Sequence, residues 1–335
     1  MKKTFTLFAI LLFSVSLIYL SKNPATQQQA KPSKQERILE ALEYENRITQ
    51  DPALGYPPVE RLMLALKQAK ALQQQYANRS PGGILEARWR ERGPNNIGGR
   101  TRVIHIDLND PDRKTIWAGG VSGGLWKTDD ITASQPVWSK VDDYLDNISV
   151  GALAQDPNEP DLMYMGTGEL YAGIAGFALF RSENGGEDWE LLPSTTNGNF
   201  LFTQQLFVHP QTSEVYAGTT RGLYRSKDRG GSWEKVLGVG AGTSQETIHD
   251  MAFHKASGTI YASTTSVIYK SASGDANSWQ NLTAGTNFTG GFTRVELAVS
   301  QTEPHYLYAV GNSNGSGSGV HRLADGDTFW DVFEP

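Results

Sequence analysis

The 335-residue chain contains no cysteine. That excludes disulfides, thiolate metal sites, a cysteine nucleophile and a lipid anchor on an N-terminal cysteine. Stability must come from burial and backbone pairing alone. Basic charge is also scarce: 30 Lys and Arg stand against 36 Asp and Glu, a net of −6. No broad basic face is visible, so nucleic acid is not an expected partner. The histidines, His105, His209, His249, His254, His305 and His321, show no H-x-H or H-E-x-x-H spacing, and no metal site is expected. The glycine-rich run at 311–319 joins two strands, opens no helix and lacks the lysine of a phosphate loop. No cofactor is expected.

Long hydrophobic runs are equally rare. One lies at the N-terminus, Phe5 to Leu20, behind Lys2 and Lys3. This is a secretory signal pattern, too short for an ordinary membrane span. No clean small-residue cleavage site follows, so the segment is either removed or kept as an anchor. Any membrane association is expected only through it. Export without cysteine fits a bacterial envelope protein, secreted or at the cell surface.

Residues 21–35 are rich in Gln, Lys and Pro and read as a tether. Within 34–48, Ile38, Leu42, Glu45 and Ile48 share a helical face. "DPALGYPP" interrupts, and Val59, Leu62, Met63, Leu66 and Ala69 then form the stripe of a second helix. The expected organisation is a signal and tether over 1–30, a helical segment over 31–83, and a β domain over 84–335.

From about residue 84 the pattern becomes short alternating strands separated by turns, in a chain with 35 glycines and 10% aromatics. A unit repeats, ending at Trp138, Trp189, Trp233, Trp279 and Trp330. Each unit opens with an alternating run such as "RVIHIDL" or "QLFVHP". A second apolar strand follows, such as "TIWAGG" or "EVYAGTT". A third strand then leads through a polar turn to the Trp and a fourth. Four short strands in roughly 45 residues are the signature of a β-propeller blade. The fold class is therefore all-β, a propeller of four-stranded blades behind a short helical segment. Trp89 precedes Trp138 by a similar spacing, so 84–91 is expected to close a last blade from the N-terminal side. Five blades plus that strand imply an incomplete ring, with seven or more blades in the whole.

The polar turn is fullest in "SKDRGGSW", with Ser226, Asp228, Gly230 and Trp233. Partial copies carry Thr128 and Asp130 with Trp138, Ser182 and Asn184 with Trp189, Ser271 with Trp279, and Asp325 with Trp330. A short Asp or Asn can bond the backbone of its own turn, Gly supplies positive φ, and the Trp buries a large area between sheets. The turn is thus expected to staple the third and fourth strands. The copies vary independently, which suits redundant turn chemistry better than catalysis or calcium ligation.

These residues resemble the Asp-box of BNR-repeat, sortilin-like (VPS10-type) propellers, and the likeness runs from about 84 to 335. "RGPNNIGGRTR…WAGGVSGGLWKT" is its most specific stretch. The resemblance implies that the boxes face away from the binding funnel. The cysteine-rich module and transmembrane helix of sorting receptors are absent, so that role does not transfer.

The opposite face collects the candidate ligand-binding residues Arg100, Arg102, Tyr171, Arg221, His249 and Arg294, with the acids Asp146, Glu169 and Asp250. Sialidases share the Asp-box propeller and hold a carboxylate with three arginines, which Arg102, Arg221 and Arg294 superficially match. The Arg-Ile-Pro signature is missing, and each Arg can pair with a rim carboxylate. Xyloglucanase-like glycosidases need two facing carboxylates. The expected position of one falls near Val121, where there is no acid. Glu169 with Asp146 or Asp250 is the remaining pairing, against a reading in which Glu169 bonds loop amides. No residue is assigned as catalytic. The leading expectation is a non-catalytic propeller that binds protein or glycan on its funnel face; the alternative is a polysaccharide hydrolase.

Overall fold

The structure is a computed structural model. It describes scattered residues between 40 and 75 and then, from 100, all but 142–148, 239–246, 289–291, 304–305, 314–315, 325–326, 328–329 and 334–335. The signal segment, the tether, the closing strand with Trp89, Asp146 and Asp325 lie outside the described residues. The chain divides into two compact units, 1–85 and 86–335. In the first, the described helical residues include Glu40, Glu43, Tyr44, Arg47 and Ile48, then Arg61, Ala65, Gln68 and Ala69. Between them Asp51 accepts the Ala53 amide at 2.7 Å, an Asx turn that ends the first run.

The second unit forms five antiparallel sheets of four strands, each in sequence order. Blade I holds β1 (Thr101–Ile106), β2 (Ile116–Gly120), β3 (Leu125–Thr128) and β4 (Ser139–Lys140). Blade II holds β5 (Val150–Gln155), β6 (Met163–Thr167), β7 (Leu179–Ser182) and β8 (Glu190–Leu191). Blade III holds β9 (Thr203–Val208), β10 (Val215–Thr219), β11 (Gly222–Ser226) and β12 (Glu234–Leu237). Blade IV holds β13 (Asp250–His254), β14 (Thr259–Ser263), β15 (Ile268–Ser271) and β16 (Gln280–Asn281). Blade V holds β17 (Arg294–Val299), β18 (Tyr306–Ser313), β19 (Ser316–Ala324) and β20 (Asp331–Phe333).

Burial departs from the expected alternation. Every residue of β5, β6, β10 and β11 is buried, because these strands are covered on both faces by neighbouring blades. Alternation survives in blades I and V, where Ile104 is 74% exposed and Val310 40%. The core is accordingly divided into seams between sheets. Leu179 and Phe200 meet Val215 and Tyr224 between blades II and III. Tyr216 and Leu223 meet Ile248 and Ile260 between III and IV. Ile268 meets Val295 and Trp330 between IV and V.

The blades approach closely at one repeated position of the second strand. A Cβ on Gly119, Gly166 or Gly218 would lie 2.7, 2.5 or 2.8 Å from Val150, Thr203 or Ile248 of the next blade. Blade IV has Ser263 there instead, and its hydroxyl donates to the Val295 carbonyl at 2.6 Å.

The box turns follow the sequence logic. Asp228 accepts the Ser226 hydroxyl at 2.8 Å and the Ser232 amide at 2.8 Å, while the Gly230 amide donates to Ser226 Oγ at 2.7 Å. In blade II, Asn184 accepts from Ser182 at 2.9 Å and from the Asp188 amide at 2.9 Å, the same circuit without a charge. Ser271 keeps the anchor, accepting the Gly274 amide at 2.8 Å, and shares a hydrogen bond with the Ser278 hydroxyl at 2.5 Å. Trp233, Trp279 and Trp330 pack into the seams, and Trp189 is buried with its indole nitrogen donating to the Gly186 carbonyl at 3.0 Å. Trp138 does neither: it is 37% exposed. In blade I the longer turn lets Asp130 bond Thr132 instead, at 2.8 Å to its amide. Thr128 stays buried there, and Trp117 of the second strand rests against Gly186 of the next box, as Tyr216 does against Gly274 two blades on.

Candidate functional site

The first strands of all five blades line one axial cavity of about 210 Å³. Its wall includes Arg102 of β1, Gly151 of β5, Gln204 and Gln205 of β9, His249 and Asp250 at β13, and Arg294 and Glu296 of β17. The period of two puts Arg294 and Glu296 on one face, where they form an ion pair.

Asp250 is a junction. Its carboxylate accepts Gln205 Nε2 at 2.8 Å, its neighbour's Met251 amide at 2.8 Å and the Leu297 amide at 2.8 Å. One carboxylate thus ties blades III, IV and V. Burial pushes its pKa up to about 6, with Glu296 adding repulsion. His249 moves the other way. Burial lowers its pKa to about 4, helped by the charges of Arg294 and Arg102. The imidazole stays neutral near pH 7 and shares a 2.9 Å hydrogen bond with the Tyr171 hydroxyl. Tyr171 comes from a short 3-10 turn, Leu170–Ala172, between β6 and β7. Arg294 lies over its ring at 5.2 Å, a cation–π contact. Burial and then the hydrogen bond to Glu296 act in opposite senses on Arg294, and its pKa rises. Arg102 is lowered, by burial and by Arg294.

The structure therefore assembles Arg102, Tyr171, His249, Asp250 and Arg294. Glu169 is 1% exposed and pairs with the Arg100 guanidinium. Arg221 sits in the β10–β11 turn, its amide bonded to Thr219 Oγ1 at 3.0 Å, and contributes nothing to the cavity wall. The three-arginine arrangement is not formed from Arg102, Arg221 and Arg294. Val121 is buried, with no acid at that position. Sequence reasoning missed Gln204, Gln205 and Glu296. Their signal was polarity inside strands that otherwise read as apolar. No cluster of metal ligands occurs among the described residues.

No protein-family model matches the chain. A stretch of 149 residues is 28% identical to a xyloglucanase from Paenibacillus sp., covering 40% of this chain and 14% of that protein. Another of 187 residues is 25% identical to an oligoxyloglucan-reducing end-specific xyloglucanase from Emericella nidulans, covering 52% and 21%. The chain thus spans from about a seventh to about a fifth of the length of these curated relatives. Among solved structures, an ancestral GH74 enzyme is similar with TM-score 0.55 and 17% identity, over 70% of this chain and 33% of that one. The extracellular domain of a hybrid two component system from B. thetaiotaomicron gives 0.51 and 14%, over 73% and 28%. A chain of the nidogen/laminin complex gives 0.50 and 11%, over 71% and 81%. At these identities the likeness to the solved structures is one of fold. The second unit is a β-propeller of the Asp-box type.

Proposed function

We propose that this is an exported, non-catalytic propeller that binds a glycan at its axial funnel. The observation that carries the reading is the engagement of the funnel carboxylates among the described residues. Glu169 is paired with Arg100, Glu296 with Arg294, and Asp250 accepts from three donors. Hydrolysis needs one carboxyl free to deliver a proton and a second facing it. Arg102, which forms no ion pair among the described residues, and the exposed part of Tyr171 remain to hold a ligand. The N-terminal signal pattern supports a location outside the cytoplasm, at the cell surface or secreted.

Glycoside hydrolysis is the second reading. The sequence likeness to two xyloglucanases favours it, as does Asp250, its pKa raised to about 6 beside Glu296. One experiment separates the two. Full-chain protein is incubated with xyloglucan and with a panel of polysaccharides, and both retention and new reducing ends are measured. Binding without new reducing ends is expected. Reducing ends that disappear in Asp250→Asn would establish the hydrolase instead. Loss in Glu169→Gln as well would implicate the Glu169–Asp250 pairing.

A further inference from the structure

Blade I carries one half of a seam and blade V the other. Blade III packs on blade II through Leu206, Val208, Val215, Ala217, Tyr224 and Trp233. Strand pairing sets five of these in two rows, Leu206–Ala217–Tyr224 and Val208–Val215. Blade I repeats the rows as Ile104–Ala118–Trp126 and Ile106–Ile116, with Trp138 in the place of Trp233. This face points away from blade II, which Val103 and Gly119 meet on the other side. Leu206 and Val208 are 5% and 4% exposed, whereas Ile104 is 74% and Ile106 45% exposed.

Blade V carries the receiving half. Blade II receives blade III on two rows, Ala154–Tyr164–Arg181 and Ala152–Gly166–Leu179. Arg181 ends the first row and holds the Arg229 carbonyl of the next box. The matching rows of blade V are Ala298–Tyr308–Arg322 and Glu296–Val310–Val320. They lie opposite the face that Val295, Leu297 and Ala309 turn to blade IV. Val310 and Val320 are 40% and 39% exposed. Two residues depart from the blade II pattern. Glu296, paired with Arg294, replaces Ala152, and Val310 replaces Gly166, where Thr203 leaves no room for a Cβ. A seam on blade V is therefore wider at the axis and closes through Tyr308, Val320 and Arg322.

We infer that a second copy of this chain docks here head to tail, its blade I packed on blade V of the first. The contact continues the repeated seam of the fold, with each half supplied by a different copy. The two faces are unlike and complementary, as a heterologous contact requires. Within one chain both stay exposed, so neither covers the other. Joining them takes from water the side chains that the inner blades keep buried. Charge agrees. Asp129, on the blade I turn, has a side chain 91% exposed and gives Arg322 a carboxylate, as Asp275 does for Arg225 between blades III and IV. Each copy has one face of each kind, so two copies that exchange them close a pair.

The test is the mass of the full chain in solution, by light scattering and by sedimentation across a concentration series. A dimer is expected. Ile104→Asp spoils the blade I face and Val320→Asp the blade V face. Each variant alone should be monomeric, because every contact needs one good face of each kind. Mixed in equal amounts they should form a heterodimer, at higher concentration than the wild type needs, since one contact replaces two. Ile104→Thr and Val320→Thr are milder and should weaken the dimer several-fold. Lys227→Gln, on the box side of blade III, should dimerise as wild type. Melting curves show which variants keep the fold. A wild type that is monomeric at every concentration overturns the inference. So does a dimer that the folded variants leave unchanged, or a mixture of folded Asp variants that stays monomeric.

Discussion

Arg225 of blade III donates to the carboxylate of Asp275 in blade IV at 2.8 Å, from a side chain only 3% exposed. It also donates to the Ser273 carbonyl at 3.2 Å and to Glu234 at 3.2 Å. Arg181 does the same one blade earlier, reaching the Arg229 carbonyl at 2.9 Å. In both cases a cation at the end of a third strand grips the box turn of the following blade. Burial opposes the charge of Arg225, but Asp275, Tyr216 and Glu234 overcome it and raise the pKa. Arg225→Met is expected to lower unfolding free energy by about 2 kcal/mol, as the loss of charge-assisted bonds implies. Arg225→Lys should recover only part, because the ammonium cannot bridge two acceptors in a plane. Urea unfolding measures both, and an unmoved midpoint for Arg225→Met would show that the clamp contributes nothing.

Asp228 gains hydrogen bonds from the Ser232 hydroxyl first, then the Ser232 amide and Ser226, and its pKa falls below the ordinary 3.8. A lowered carboxyl pKa contributes stability above the unfolded value, and that contribution disappears as pH drops through the folded one. Asp228→Ala should therefore cost about 1 kcal/mol near neutral pH, and less in strong acid. Asn184→Ala, in the uncharged copy, should carry no such pH dependence. Thermal midpoints across the acid range check this. Ligand binding should be unaltered in both variants; an intact midpoint with lost binding would contradict the turn role.

His249 and Asp250, adjacent in sequence, titrate in opposite senses. His249 falls from 6.5 to about 4, so between those values the unfolded chain binds more protons there and stability rises with pH. Asp250 rises from 3.8 to about 6, so the folded chain binds more protons there and stability falls with pH. The two slopes oppose each other, and the net dependence between about pH 4 and 6 is expected to be weak. His249→Gln should expose the falling slope, and Asp250→Asn the rising one. Urea unfolding at a series of pH values supplies the slopes. Three parallel curves would show that neither shift exists.

The repeat was legible because its causes are local. A first strand such as "QLFVHP", a second such as "EVYAGTT" and the turn "SKDRGG" each declare themselves within a few residues, and five copies in register specify a radial stack of sheets. Ser226, Asp228 and Gly230 could be assigned to a turn because they bond one another across four positions. Trp138 is exposed because the later box tryptophans bury themselves against the preceding sheet, and among the described residues no sheet precedes blade I.

The candidate site was legible only as a set of residues. That Arg102, Tyr171, His249, Asp250 and Arg294 share a face follows from their positions before or within first strands and in loops between second and third strands. Tertiary structure alone decided that Arg221 stands apart, that Glu169 is spoken for by Arg100, and that the buried Gln204 amide has no partner among the described residues. The chain determined its own strands, turns and blade order through short-range periodicity and turn chemistry. Charge balance at the axis was decided by packing. Residues nearly two hundred positions apart meet there, and their pKa values and partners depend on burial and distance, which no local pattern encodes.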